Sequence, residues 1–566
     1  MKVSPKGIGQ EAGWKTIVVW LMVLFVVVYG VSMMLVLSPR SLYADPWRFA
    51  GRLLGTPWPG NVLVADNGHH EIVPNLLRWA ELNWLAGEQW LQISFGAVLA
   101  LLTFCIVACL VRGTGLPAGA SATATLVWAS GLFWPGNERA LAHGNESAHV
   151  YLVTFLLVVG CVLLCRRETR VRDSVYAALC GILAMLSFGS GVAVFAAFFL
   201  LLLLRKARWI HWCILSCGLL SGLVLYVGLG PERAGVSISA DLPRQLDLVL
   251  RWLASPFIYV AWPLLDPRIA AQLPGPVAPI AAAVADVYTR MFGPVMSSTW
   301  PLRLFGGAGV LCLILATLKS AGGKARPLSS IALATAWFAL AIGVLVALGR
   351  SDYFVSYPDQ LAATRYLPWS SLFWAGLSLW FVAYFGQKHS GALAALGMVG
   401  LLALAPSMVW MTMLAARTRA VADQVAAAAA SGVVDTGIDL GENVPSEMID
   451  ALPILRRQRT SVFAWPETRL LNGESFPVKH VAIERAVVFP VRNEWGGGQA
   501  ARVQFDSDAS AARLVLSCGA TPLGVAVRTR EGHWVGWTSS VPVKPECLQG
   551  LEIADRGVPK TQGREL

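Results

Sequence analysis

Charge is what this chain has least of: of its 566 residues only 14% are charged, while 55% are hydrophobic. With a mean hydropathy of +0.57, a water-soluble globular fold is excluded, because no soluble core of this size needs so much apolar surface. Motifs of soluble catalysis are missing too. There is no P-loop, no dinucleotide fingerprint, no zinc ribbon and no serine-hydrolase elbow, so nucleotide-driven and soluble-hydrolase chemistries lose support. The net charge of +11 is not gathered on a basic stripe with interleaved aromatics, which removes nucleic acid as a partner. The first apolar run has no small-residue cleavage site and is too long for a cleaved signal peptide, so it reads as an anchor.

What the chain does have is a series of long apolar runs. Residues 16–37, 92–111 and 331–348 each approach the roughly 20 helical residues that cross a hydrocarbon core. Basic residues sit at the ends of such runs, at Arg112, at 166–172, at 205–208, at 319–326 and at Lys388. With a cytoplasmic N-terminus every one of these turns falls inside, as the positive-inside bias requires. The connections at about 39–90, 135–146, 187–191, 230–302 and 350–365 then fall outside.

Residues 174–204 test this scheme, because basic clusters flank both ends of only 31 residues. A single crossing would break the charge rule. Two short helices meeting at Ser187-Phe188-Gly189-Ser190-Gly191 satisfy it, and glycine-rich backbone at membrane depth belongs against protein or a watery cavity; a single kinked span is the alternative. The expected architecture is therefore mainly α: a bundle of about eleven spans over residues 1–415, with a smaller β-rich or α/β domain over 416–566 outside the cytoplasm.

The last 147 or so residues change character. An Ala-rich helical stretch at 424–431 is followed by β-forming runs at 486–492, 501–505 and 524–529 between Gly, Pro and Asn turns. Eight of the ten cysteines lie in or beside apolar runs, where Cys behaves as a small hydrophobe. Cys518 and Cys547 remain, both in the exported region, where a disulfide is permitted.

Polar chemistry concentrates in three places. The first outer loop holds Asp45 with Trp47, and then Asp66, His69, His70 and Glu71. Carboxylates held near a bilayer surface can act as general bases, and Asp66 can equally cap the helix-like stretch 72–85. His69, His70, Glu71 and Asp66 could bind a divalent metal. Adjacent His-His is poor chelate geometry on a helix, however, and no His-x-x-x-His occurs, so no metal site is assigned and a divalent cofactor stays open. The second place is Arg350 followed by Arg365 and Tyr366: the planar guanidinium fork suits a lipid-linked phosphate, although Arg and Tyr also anchor at headgroup depth. The third, 134–149 with Glu138, His143, Glu146 and His149, adds further polar groups and carries less weight.

Taken in order, the acidic residue after the first span, the segment from Asn67 to Leu77, the Arg350 and Arg365-Tyr366 pair and the exported C-terminal region resemble the bacterial membrane glycosyltransferases of the GT-C superfamily. The resemblance implies a sugar carried on polyprenyl phosphate, an envelope glycan, lipid or protein as acceptor, surrounding membrane lipids, and residence in the bacterial inner membrane. It implies Asp45 as the first candidate base. Because this chain has Asp45-Pro46 where several relatives have paired acids, Asp66 and Glu71 share the candidacy. It further implies Arg350 and Arg365 on the donor phosphate, with Tyr366 beside them; His69, His70 and Trp47 are acceptor or loop-site candidates from the first loop itself. An O-antigen polymerase or ligase is the next reading and a non-enzymatic transporter the last, since neither internal repeats nor mid-span acids stand out.

Overall fold

The computed structural model describes residues 13–66, 69–166, 168–229, 241–265, a few positions between 278 and 290, and then 298–321, 326–441, 445–539 and 543–553. Much of the expected outer loop 230–302, and Asn67 of the first loop, lie outside the described residues. The chain divides into two compact units: Met1–Ser38, Leu63–Pro74 and Gln92–Ala415 form one, and Pro39–Val62, Asn75–Leu91 and Ala416–Leu566 form the other. Most of the first loop therefore belongs with the C-terminal residues.

The first unit is a helix bundle. Among the described residues seven helices are long and apolar enough to cross a membrane. The last of them runs from Leu367 to Ala430 and breaks at His389, where φ is −126° and ψ 32°. Its two arms are each apolar, and the shorter apolar helix Gly189–Leu204 adds a further segment. This is a multi-pass membrane protein. Leu21, Leu24, Phe25 and Val28 of the helix Trp14–Leu37 remain more than half exposed, which water would penalise and hydrocarbon does not.

Small residues let these helices approach. A side chain at Gly30 would meet the Cβ of Phe133 at 2.6 Å, and one at Gly131 would meet the Cβ of Ala375 at 2.5 Å. Close backbone approach of this kind replaces the hydrophobic drive that lipid cannot supply.

The stretch 174–204 is a hairpin, as the charge rule requires. Val171–Met185 leads to a single 3₁₀ turn at Gly189–Val192 and back through Ala193–Leu204. At the tip a methyl on Gly191 would fall 2.1 Å from the carbonyl carbon of Ala184, so only glycine closes this turn. Asp173 anchors the basic end, accepting from the Arg170 amide at 2.9 Å and from Arg166 at 2.8 Å.

Among the described residues of the second unit seven antiparallel strands form one sheet, in the order β1-β7-β4-β5-β6-β3-β2. They are β1 Val478–Val481, β2 Glu484–Arg492, β3 Gln499–Asp506, β4 Arg513–Cys518, β5 Thr521–Arg530, β6 His533–Thr538 and β7 Leu548–Ile553. The period of two sorts their side chains onto opposite faces. Val525, Val527 and Trp537 join the core built with Val425–Ala430, whereas Ala526, Trp534, Phe505 and Leu516 build a second core on the other face. The three β-forming runs read from sequence correspond to β2, β3 and β5. The other four strands are short or lie against turns and gave a weaker signal. Cys518 and Cys547 are joined by a disulfide with their Cα atoms 5.0 Å apart.

Candidate functional site

Within the helical unit, residues 63–74 re-enter from the first loop and bring their polar side chains together. Asp66 and His69 close a tight turn by two reciprocal backbone bonds, Asp66 N to His69 O at 2.8 Å and His69 N to Asp66 O at 2.7 Å. Ile72, the first residue of Ile72–Trp84, donates its amide to the Leu186 carbonyl at 2.8 Å. Asp66 and Glu71 are only 6% and 5% exposed. Two carboxylates this deeply placed beside a histidine are costly unless they are used or paired.

His69 lies at the centre of the cluster. Its ring packs on the hairpin tip, 5.0 Å from Phe188 between centroids, and a side chain at Gly189 would strike its Nδ1 at 2.2 Å. Burial pushes its pKa down to about 4; Glu71 and Asp66 oppose that shift, and Arg350 and His149 add to it. At neutral pH the imidazole is therefore uncharged, able to donate from one nitrogen and accept at the other. All four side chains lie near enough to this ring to act on its charge.

Phe188 also stacks flat on His149, at 4.2 Å and 3°. His149 meets Glu146 at 3.0 Å, and Glu146 meets Arg139 at 3.3 Å. These residues belong to the 134–149 segment, which carried little weight from sequence. Phe188 carried none, because an apolar residue in a hairpin tip has no signal that separates it from packing. The glycines around it were the available clue.

Arg350 stands where the helix Pro327–Ser356 breaks, with φ −133° and ψ 19°. This is a position at which a side chain can be turned out of the helical pattern. Its Nη1 donates to the Tyr366 hydroxyl at 3.0 Å. Arg365 donates from Nη2 to Gln360 Oε1 at 3.1 Å and packs 5.2 Å from the Tyr366 ring. Tyr366 thus lies against both guanidinium groups.

The remaining candidates stand elsewhere. His70 is 3% exposed, its Nδ1 lies 3.2 Å from the Leu63 carbonyl, and its ring meets the edge of Tyr226 at 4.9 Å, the surroundings of a packed core histidine. Asp45 and Trp47 belong to the other unit. Asp45 opens the helix Pro46–Gly55 and pairs with Arg48 at 3.0 Å, while Arg48 reaches both oxygens of Glu447 at 2.8 and 2.9 Å. Trp47 is 1% exposed inside that unit's core. Among the described residues no group of three or more His, Cys, Asp or Glu is arranged to hold a metal.

No protein-family model matches this chain. No curated protein matches it either. Among solved structures, the apo-state crystal structure of ArnT from Cupriavidus metallidurans is similar over 83% of this chain and 96% of its own, at 15% identity and a TM-score of 0.31. A likeness that low carries no argument about function, which has to come from the residues themselves.

Proposed function

We propose that this protein is a glycosyltransferase of the bacterial inner membrane, moving a sugar from a polyprenyl-phosphate donor to an envelope glycan, lipid or protein at the outer face. The observation that carries this reading is the convergence of two buried carboxylates, Asp66 and Glu71, and the Arg350 guanidinium on one uncharged imidazole, His69. A carboxylate and a cation near one neutral ring can serve the two ends of one transfer. Asp66 or Glu71 takes the proton of the acceptor hydroxyl. The hydroxyl oxygen then bonds to the anomeric carbon as the bond from that carbon to the phosphate oxygen breaks. The polyprenyl phosphate leaves with the electron pair, and Arg350, oriented by Tyr366, and Arg365 stabilise its growing charge.

Asp45 becomes the weaker candidate base, because it belongs to the other compact unit, whereas Asp66 and Glu71 share theirs with Arg350. The deciding experiment is mass analysis of envelope glycans, glycolipids and glycoproteins from cells with and without the intact gene. Loss of one sugar from an otherwise complete product supports transfer. A change in glycan chain length alone would replace this reading with a polymerase, and an unaltered set of envelope products would remove it.

A further inference from the structure

The C-terminal unit contains a hollow of about 310 Å³, lined by residues that include Ser431, Arg456, Phe463, Asn472, Trp495 and Ser539. That volume lies at the lower end of the roughly 300–1,000 Å³ typical of small-ligand sites, too small for a prenyl chain and of the order of one or two sugar rings. Every lining residue belongs to the region 430–539, so the hollow is complete within this unit.

Its walls differ in chemistry. Phe463 is buried and Trp495 half-buried, their rings 6.5 Å apart and inclined at 69°. The Trp495 turn is held in place: Asn493 Oδ1 accepts from the amides of both Trp495 and Val434 at 3.0 Å, and Asn493 Nδ2 donates to the Gly432 carbonyl at 3.0 Å. An indole presented from a turn fixed in this way is a preorganised surface and loses little freedom on binding. Opposite character comes from Arg456 and Asn472. Both are exposed, and neither side chain has an ion-pair or hydrogen-bond partner among the described residues. Arg456 also lies in the last turn of the helix Ser446–Gln458, where a cation is favoured by the helix dipole; that explains its charge and leaves its donors free.

We propose that this hollow binds a saccharide bearing a carboxylate or phosphate. The C–H face of a pyranose ring is apolar and packs on an indole. Its hydroxyls both donate and accept, which suits the Asn472 amide and the Ser539 hydroxyl. An anionic substituent takes the two parallel bonds of the Arg456 fork. Holding the acceptor glycan is the role this implies, and that role rests on the transferase reading; the binding itself does not.

The test uses the full chain in lipid nanodiscs and ligand-detected NMR, with saturation transfer to the carbon-bound protons of glucose, glucuronic acid and glucose 6-phosphate, and phosphorus-31 line broadening for inorganic phosphate. The two anionic sugars should bind with a Kd on the order of 1 mM, about tenfold tighter than glucose, as expected for one charge-assisted pair. Arg456→Gln should bring them to the level of glucose. Trp495→Ala should abolish binding of all three sugars, and Trp495→Phe should keep most of it, which separates loss of the platform from loss of the fold. Absence of sugar binding by the intact protein overturns the proposal, as does equal affinity for glucose and glucuronic acid. So does binding untouched by both Arg456→Gln and Trp495→Ala, or phosphate binding as tight as the sugars and indifferent to Trp495→Ala. The double variant Asp66→Asn with Glu71→Gln should leave sugar binding here unchanged while transfer is lost, so failure of the transferase reading and failure of this site give different results.

Discussion

His69 and Gly189 touch so closely that a single methyl group on the glycine would lie 2.2 Å from the imidazole Nδ1. The hairpin tip therefore fixes the ring around which Asp66, Glu71 and Arg350 are placed. Gly189→Ala should push His69 out of position while leaving the apolar helices intact. A misplacement of about 1 Å costs on the order of 10²-fold in rate, so sugar transfer should fall by about that factor with normal membrane insertion. Full transfer by Gly189→Ala would show that this contact does not position the site.

The two buried carboxylates can be separated by near-isosteric changes. Asp66→Asn and Glu71→Gln remove a proton acceptor and little volume, and the variant that removes the base should lose roughly 10² to 10⁴ in kcat. Asp45→Asn should retain transfer and lose stability through its broken pair with Arg48. If Asp45→Asn is inactive while the other two are normal, the base belongs to the other unit.

Arg350 and Tyr366 should act on donor binding. Arg350→Lys keeps the charge and loses the fork. Tyr366→Phe removes the hydroxyl that receives Arg350 at 3.0 Å, leaving a guanidinium that must be oriented anew. A charge-assisted hydrogen bond contributes roughly 1.5–3 kcal/mol, so donor affinity should fall by between about 10- and 100-fold in Arg350→Lys, with a smaller loss in Tyr366→Phe. Titration with a polyprenyl-phosphate sugar checks both, and unchanged affinity in both returns these residues to membrane anchoring.

The buried imidazole gives stability a pH dependence of known sign. His69 titrates near 4 in the folded chain, against about 6.5 when unfolded. Between those values the unfolded state binds more protons, so acidification favours unfolding. At neutral pH and above the group contributes nothing; as pH falls from 6.5 to 4 it destabilises the fold by up to about 3 kcal/mol, with no further change below. His69→Gln should flatten this limb of a stability profile measured in detergent. A profile identical to that of the unmodified protein would place the acid sensitivity elsewhere.

Loss of the Cys518–Cys547 bond should destabilise the C-terminal unit. The bridge joins β4 to the turn before β7 across 29 residues, and removal of a native disulfide from a small domain costs roughly 2–5 kcal/mol. Cys518→Ser with Cys547→Ser should lower thermal stability by that amount, and reductant should lower the unmodified protein to the same level and leave the double variant unaffected. Equal stability of the two proteins without reductant would rule out a stabilising role.

The sequence by itself determined that the chain is a multi-pass helical bundle ending in a β-rich region, because span length, basic flanks and β-forming runs are local properties that hydrocarbon and water select residue by residue. It also pointed to the hairpin at 187–191, since two basic flanks around so short a run disfavour a single kinked span, and the packing of Phe195 on Gly181 decided it. Only the tertiary structure decided which polar residues meet. Asp66, Glu71, His149, Phe188 and Arg350 come from four separated stretches of chain, and no spacing rule links a first-loop carboxylate to a residue some 280 positions later. Nor could sequence separate His69 from its neighbour His70, identical in chemistry and adjacent in the chain. One ring faces the hairpin tip and the polar cluster, the other a backbone carbonyl and Tyr226. That difference is one of side-chain direction, and it exists only once the helices around both rings have packed.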